Sequence, residues 1–473
     1  MKMKIGAALA ALCIAGSASA ATITIVNNDG PGEGFNDPTP VAPLASNPGT
    51  TLGAQRLFVF QTAANQWGAR LNSSVEIRVR AAFNPLTCSG TSAVLGSAGA
   101  VSVFRNFPNA PRPETWYSVA LANAISGTDL NGTGASQEEI NSQFNVDIDN
   151  GTCLTGVAGW YYGTNPTLDP PPANRTALLP VVFHELAHGL GFQTFTSTTT
   201  GALFNGFPDA WTRFLADAPT QTTWLAMTSD AQRQASAISD PNLVWVGPNV
   251  TADKGLFLGA SPAFIVSSPA NIAGSFAAQA ASFGPAVPAG GVSGEIVAAL
   301  PELACTALTN PSAVAGKIAL VDRGTCNFTA KVANAQAAGA IAVVVANNTA
   351  TGLPGMGGSD PTITIPSYGV SQALGTSIRG ALAGGTVNGT LGFSAELAGT
   401  NRGFVRMNAP NPVQPGSSVS HFTSDAFPNL LMEPSLTGTI FDQVDLTIAL
   451  FRDLGWTDTA PPGNYVFGDG FEP

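Results

Sequence analysis

Histidine is nearly missing from this chain: there are three in 473 residues, His184, His188 and His421. Charge is scarce as well. Asp, Glu, Lys and Arg make up 10% of the residues, and 19 basic side chains stand against 30 acidic ones. A thin net charge of −11 argues against a partner rich in phosphate, whether nucleic acid or an anionic membrane surface. There is no C-x-x-C pair among the five cysteines, which argues against a zinc site built on cysteine. Beyond the first twenty residues no apolar run approaches the length needed to span a bilayer. Glutamate is absent between Glu185 and Glu295, a gap that matters below.

What is present begins with an export signal. Met1 to Lys4 is a short basic segment, Ile5 to Gly16 is apolar, and Ser17 to Ala20 ends in an A-x-A-like cleavage site. Cleavage after Ala20 is expected, giving a secreted protein, extracellular or periplasmic. Lys2 and Lys4 leave with the signal, which takes the net charge from −11 to −13. Cys13 leaves too, so Cys88, Cys153, Cys305 and Cys326 remain. An even number in an exported chain suggests two disulfides with three pairings open, and neighbours in sequence make the economical choice: Cys88 with Cys153, Cys305 with Cys326. Gly, Pro, Thr and Asn are plentiful, as in a turn-rich secreted protein. The Asp/Asn/Gly-rich loops have the composition that holds Ca2+, but no calcium site can be assigned.

Along the chain, Thr22–Val26 alternates like a strand and 27–50 reads as loop. Residues 51–71 carry Leu52, Leu57, Val59, Phe60, Ala63 and Trp67 at helical spacing. Val75–Arg80 alternates as a strand with one polar face, so the chain opens strand–helix–strand. Short strands and loops follow to about Asn174, with Ile140–Ile148 a strand. Residues 176–190 are predicted to be a helix, with Thr176 as N-cap and Pro180 near the first turn, stopped by Gly189 and Gly191. A second helix is predicted over Asp209–Ala216, and a last amphipathic one over Phe441–Leu454, closed by Gly455 and Trp456.

The helix over 176–190 holds Phe183-His184-Glu185-Leu186-Ala187-His188-Gly189-Leu190-Gly191, an H-E-x-x-H sequence followed by x-x-G. Residues four apart share a helix face, so His184 and His188 can point two imidazoles at one zinc ion. Glu185 lies beside them, placed to act as general base on a zinc-activated water. A catalytic zinc needs a third protein ligand. A thermolysin-type glutamate is excluded by the gap after Glu185. The short H-E-x-x-H-x-x-G-x-x-H pattern would put histidine at 194, where Thr194 stands. Asp209 is the nearest aspartate, but Pro208 before it and the apolar residues after it read as a helix N-cap. Asp209 stays a possible third ligand, and His421 is the better candidate, an imidazole with no other evident task.

Two resemblances bear on this assignment. Over about 100 residues from Leu303, "ACTALTNPSAVAGKIALVDRGTCNFTAKVANAQAAGAIAVVVANN" and "ITIPSYGVSQALGTSIRGAL" resemble a protease-associated (PA) domain. The resemblance implies a small β-rich module with a lid or substrate-recruiting role, and favours pairing Cys305 with Cys326. "HELAHGLGF" followed much later by "SVSHFTSDAFPNLLMEP" resembles the leishmanolysin-type metzincins. There an insertion separates the glycine turn from the third histidine, and a methionine lies beneath the metal. That resemblance implies Gly191 as the turn, His421 as the third ligand and Met432 as the methionine under the site.

The expectation is therefore an α+β protein, a metzincin-like zinc peptidase domain split by an inserted β-rich PA domain. Its segments would be 1–20 signal peptide, 21–255 first catalytic part, 256–398 PA-like insertion, 399–460 second catalytic part and 461–473 tail. The implied activity is zinc-dependent cleavage of protein or peptide substrates with one Zn2+ on His184, His188 and His421, and Glu185 as base. Asn141–Ile148 is the strand expected to align the peptide at a sheet edge. Serine-protease chemistry would spend His421 on a triad and leave the H-E-x-x-H pair unexplained. The alternative of another class is a non-catalytic secreted or surface binding protein using the PA-like domain, and Glu185, which a structural zinc site does not need, stands against it.

Overall fold

The computed structural model describes residues 20–132, 137–435, 441 and 443–459. The expected signal peptide, apart from Ala20, and the tail at 461–473 lie outside the described residues. The chain folds into two compact units, the first built from residues up to Phe257 with Phe404–Ser424 and the segment from Asn429 onward, the second from Leu258–Gly403 with Asp425–Pro428. Among the described residues no helix is long and apolar enough to cross a membrane.

In the first unit, β1 (Ile23–Asn27) and β2 (Ile77–Asn84) pair in parallel, Ile23 beside Ile77, with α1 (Leu52–Gly68) joining them. A parallel pair needs such a crossover. Thr51 starts α1 by accepting the Ala54 amide through its side chain. The stripe Val59, Phe60, Ala63, Ala64 and Trp67 is buried, whereas Leu57 of the expected apolar face is 38% exposed. Trp67 stacks on Phe183 at 4.6 Å between ring centroids and donates its indole N–H to the Phe183 carbonyl at 2.9 Å, so α1 docks on the helix that carries the histidines.

The sheet continues through two strands of unequal legibility. β3 (Gly96–Ala100), with only small side chains, has no alternation to read. Next come the paired β4 (Val103–Phe104) and β5 (Tyr117–Ser118), and then α2 (Val119–Ser126), a helix in a region read as strands and loops. β6 (Ile140–Asn145) follows, ending in a 3-10 turn at Val146–Ile148. The strand order is β1-β2-β6-β3, with β6 parallel to β2 and antiparallel to β3. The strand expected at an edge is therefore interior, paired on both sides, and the edges belong to β1 and β3.

α3 (Leu178–Leu190) begins two residues later than expected, with Ala177 at the cap position and no side-chain cap bond, so Thr176 does not cap it. Gly189 lies inside α3. A Cβ there would meet Ile140 Cγ2 at 2.3 Å, so glycine is what lets α3 press against β6. Gly191, at φ 124°, ends the helix. Gly189→Ala is expected to lower stability by about 1–3 kcal/mol through overpacking, measured as a fall in melting temperature. The predicted helix at Asp209–Ala216 does not form: the segment is a turn, a short 3-10 stretch at Thr212–Phe214 and a strand at Leu215–Asp217. Its apolar residues satisfy a strand in a small antiparallel sheet with Leu243–Trp245 as well as they would a helix face. The last helix is Asp445–Leu454, four residues shorter at its start than expected, with Gly455 at φ 119° as its C-cap.

The second unit is one eight-stranded sheet in the order Gly274–Ala277, Ala260–Ser268, Val387–Leu397, Val292–Ala298, Ile318–Asp322, Ala342–Ala346, Ser367–Val370 and Gln279–Ala280. The steps from Val292–Ala298 through Ser367–Val370 are parallel. Helices Phe328–Ala337 and Gln372–Leu382 belong to this unit. Apolar clusters form around Ile318, Leu320 and Val344, and around Ala319, Val321 and Val345, as strands buried on both faces require.

Disulfides join Cys88 to Cys153 and Cys305 to Cys326, the pairing of sequence neighbours. The first closes 65 residues and the second 21. Loop-closure entropy puts their contributions at about 4 and about 3 kcal/mol. Replacing Cys88 and Cys153 together by alanine is thus expected to shift urea unfolding of the first unit further than the matching change at Cys305 and Cys326 shifts that of the second.

Candidate metal centre

The histidines 237 residues apart in sequence meet at one point. His184 Nε2, His188 Nε2 and His421 Nε2 form a triangle whose three sides are each 3.2 Å. Each Nδ1 is bonded to a backbone carbonyl: His184 to Leu431 at 2.7 Å, His188 to Phe192 at 2.7 Å, and His421 to Ser417 at 2.8 Å. A carbonyl only accepts, so every Nδ1 carries the proton and every Nε2 presents a lone pair. Three lone pairs at this spacing cannot satisfy one another by hydrogen bonding. They suit a cation: zinc–nitrogen bonds of about 2.0–2.1 Å at tetrahedral angles put ligand nitrogens roughly 3.3–3.4 Å apart.

All three rings are buried, and burial is the main reason their basicity falls. The His184 pKa drops to about 4 and that of His188 to about 3, the latter lowered further by neighbouring His184; the carbonyl bonds work in the opposite sense. His421 is pushed well below its ordinary value, by burial first and then by the other two imidazoles. The rings are therefore neutral at physiological pH, the form that ligates metal.

The carbonyls have supports of their own. Leu431 N–H donates to the Asp445 carboxylate, and Asp445 also accepts the Thr447 amide at 2.9 Å and hydroxyl at 2.8 Å. The chain Asp445–Leu431–His184 thus ties the last helix to one of the three imidazoles. Met432 is fully buried, and its carbonyl accepts the Phe422 amide at 2.9 Å, next to His421. Asn408 braces the same loop, donating its amide to the His421 carbonyl and accepting from Val419. Sequence inspection missed Leu431, Phe192 and Ser417 because a carbonyl acceptor leaves no trace in residue type. Asp445 was hidden as well, because the helix predicted from Phe441 put it inside rather than at the start, where the structure has it.

The alternative aspartate is engaged elsewhere. Asp209 accepts from the Thr194 hydroxyl and the Phe195 and Thr196 amides through Oδ2, and from the Thr212 amide through Oδ1. It pins the turn, and the cluster of groups able to hold a metal comprises His184, His188 and His421 without it. Thr194, at the position a shorter motif would give to histidine, bonds through its amide to Ser420 Oγ at 3.2 Å, so the chain passes His421 there.

Glu185 stays out of the triangle. It is partly buried in the wall of a cleft of about 1180 Å3 that also exposes the three histidines. Burial lifts its carboxyl to about 8, against a hydrogen bond from the Ala98 amide. Ala98 belongs to β3, and Leu95–Ala98 border the cleft. Leu95 and Val101 bond inward to β6, so by alternation Gly96, Ala98 and Ala100 turn their backbone groups away from it.

Comparison with known proteins places one module. The model of the PA domain matches residues 292–378, inside the second unit, whereas all three histidines belong to the first. Leucine aminopeptidase 2 of Arthroderma otae is 37% identical over 114 residues, 24% of this chain and 22% of that protein. The human ER degradation-enhancing alpha-mannosidase-like protein 3 is 50% identical over 52 residues, 11% of this chain and 6% of its own length. Among solved structures, an aminopeptidase from Aneurinibacillus sp. strain AM-1 shows 27% identity over 29% of this chain and 32% of that one, with a TM-score of 0.22, too low to argue from. The chain spans about 22% of the length of the aminopeptidase it matches. What the comparisons establish is that residues 292–378 form a PA domain.

Proposed function

We propose that the chain is a secreted zinc-dependent endopeptidase, with zinc on His184, His188 and His421 and Glu185 as general base. The observation that carries this is the triangle of buried, metal-ready Nε2 atoms beside a carboxylate that is not part of it. The leishmanolysin-type reading rests on the same geometry together with the buried Met432, and not on the comparisons. Zinc, when bound, supplies a Lewis acid and lowers the pKa of a coordinated water. The protein's own groups do the rest. The carbonyls of Leu431, Phe192 and Ser417 hold the ligand tautomers. Glu185 takes the proton of the attacking water and returns it to the leaving amine. A nearby dication would favour its carboxylate over the protonated form that burial alone favours. The outward backbone groups of Gly96 and Ala100 on β3 are placed to align an extended peptide by strand addition, in the role first expected of Asn141–Ile148.

A second reading, aminopeptidase action, is favoured by the name of the fungal relative. One experiment separates them. The zinc-loaded protein is given an unfolded protein substrate whose N-terminus is acetylated. Internal fragments are expected; release of single residues from the unblocked substrate alone would replace endopeptidase by aminopeptidase. Failure on both would favour the binding-protein alternative.

A further inference from the structure

Beside the exit of α3, three buried polar atoms have no protein partner: Ser118 Oγ, Gln193 Nε2 and Trp211 Nε1; Gln193 also borders the cleft of the three histidines. They come from three segments distant in sequence, yet all three residues line one small chamber, closed further by Gly191, Asp209 and Leu454. Ser118 is 3% and Trp211 1% exposed, so neither reaches bulk solvent. An indole N–H, an amide N–H and a hydroxyl left unbonded in one place would each cost about 1–3 kcal/mol. Buried groups of this kind in native proteins are met by a protein partner, an ordered water or an ion. The space open to the centre of a water-sized sphere is about 10 Å3, room for about one molecule.

We propose that this chamber is a binding site for one buried water molecule. The occupant accepts from the Trp211 indole and the Gln193 amide, and donates to Ser118 Oγ. An anion would also suit the two N–H donors, but the Asp209 carboxylate stands in the wall and no lysine or arginine lines the chamber. A neutral molecule that both accepts and donates fits. Gly191 keeps the space: a Cβ on it would lie 2.9 Å from Ser118 Oγ. The water thereby links α2's entry, the Trp211 turn and the segment Gly191–Gln193, whose Phe192 carbonyl holds His188.

A crystal structure of the zinc-loaded full chain tests this directly. One solvent peak is expected about 2.7–3.2 Å from Ser118 Oγ, Trp211 Nε1 and the Gln193 amide together. An empty chamber, or a side chain turned into it, overturns the proposal, and a peak that exchanges for bromide on soaking replaces water by an anion. Melting of Ser118→Ala, Trp211→Phe and the double variant gives an independent reading. Groups that share one molecule are coupled, so the double variant is expected to lose clearly less in melting temperature than the two single losses combined. Strict additivity would count against a shared occupant.

Discussion

A Glu185→Gln protein is expected to fold, to bind zinc at the wild-type stoichiometry and to cleave peptide about 100- to 10,000-fold more slowly. The substitution keeps the side chain's shape and an oxygen to accept the Ala98 amide, so the wall of the cleft should stand. What it removes is the capacity to take up a proton. Since Glu185 lies outside the triangle of Nε2 atoms, metal content is the control that separates loss of a base from loss of a site. Metal analysis beside initial rates on one peptide decides the matter. Stoichiometric zinc with an unchanged rate would remove Glu185 from the chemistry and, with it, the mechanism proposed above. Loss of zinc would instead make Glu185 a ligand or a direct support of one.

How far the sequence alone reaches depends on which interactions set each element. His184, Glu185 and His188 could be read as one helix face because the helix period is local and the three residue types have few other uses. His421 came from counting, in a chain too poor in histidine to offer competitors. The strands of the PA module were legible because they are buried on both faces and read as apolar runs, as in Ala342–Ala346, while the module itself was named only by resemblance to a known family. β3 was invisible: Gly96–Ala100 has no large side chain to alternate, and its place at the sheet edge comes from pairing with β6. The Asp209–Ala216 segment misled for the opposite reason. Its apolar residues fit a helix face locally, while Asp209 spends its carboxylate on the amides of Phe195, Thr196 and Thr212, a tertiary use that no spacing rule foresees.

His421→Ala is expected to weaken zinc binding by more than the roughly 10- to 100-fold that loss of an outer-shell support costs, and to abolish cleavage. The two remaining imidazoles lie on adjacent turns of α3, and two nitrogens leave the ion half solvated. The nearest aspartate cannot step in without breaking four bonds that hold its own turn. Asp209→Ala should therefore behave in the reverse way, keeping zinc while lowering the melting temperature. Because bound metal stabilises the folded form in proportion to its affinity, added zinc should raise the melting temperature of wild type and Asp209→Ala but barely move His421→Ala. Full zinc occupancy in His421→Ala, or its loss in Asp209→Ala, would exchange the roles of the two residues. The same reasoning applies to a chain cut before residue 421. It would keep the whole H-E-x-x-H helix yet lack both His421 and Leu431, whose carbonyl fixes the tautomer of His184, so it should bind zinc no better than the point variant and should not cleave.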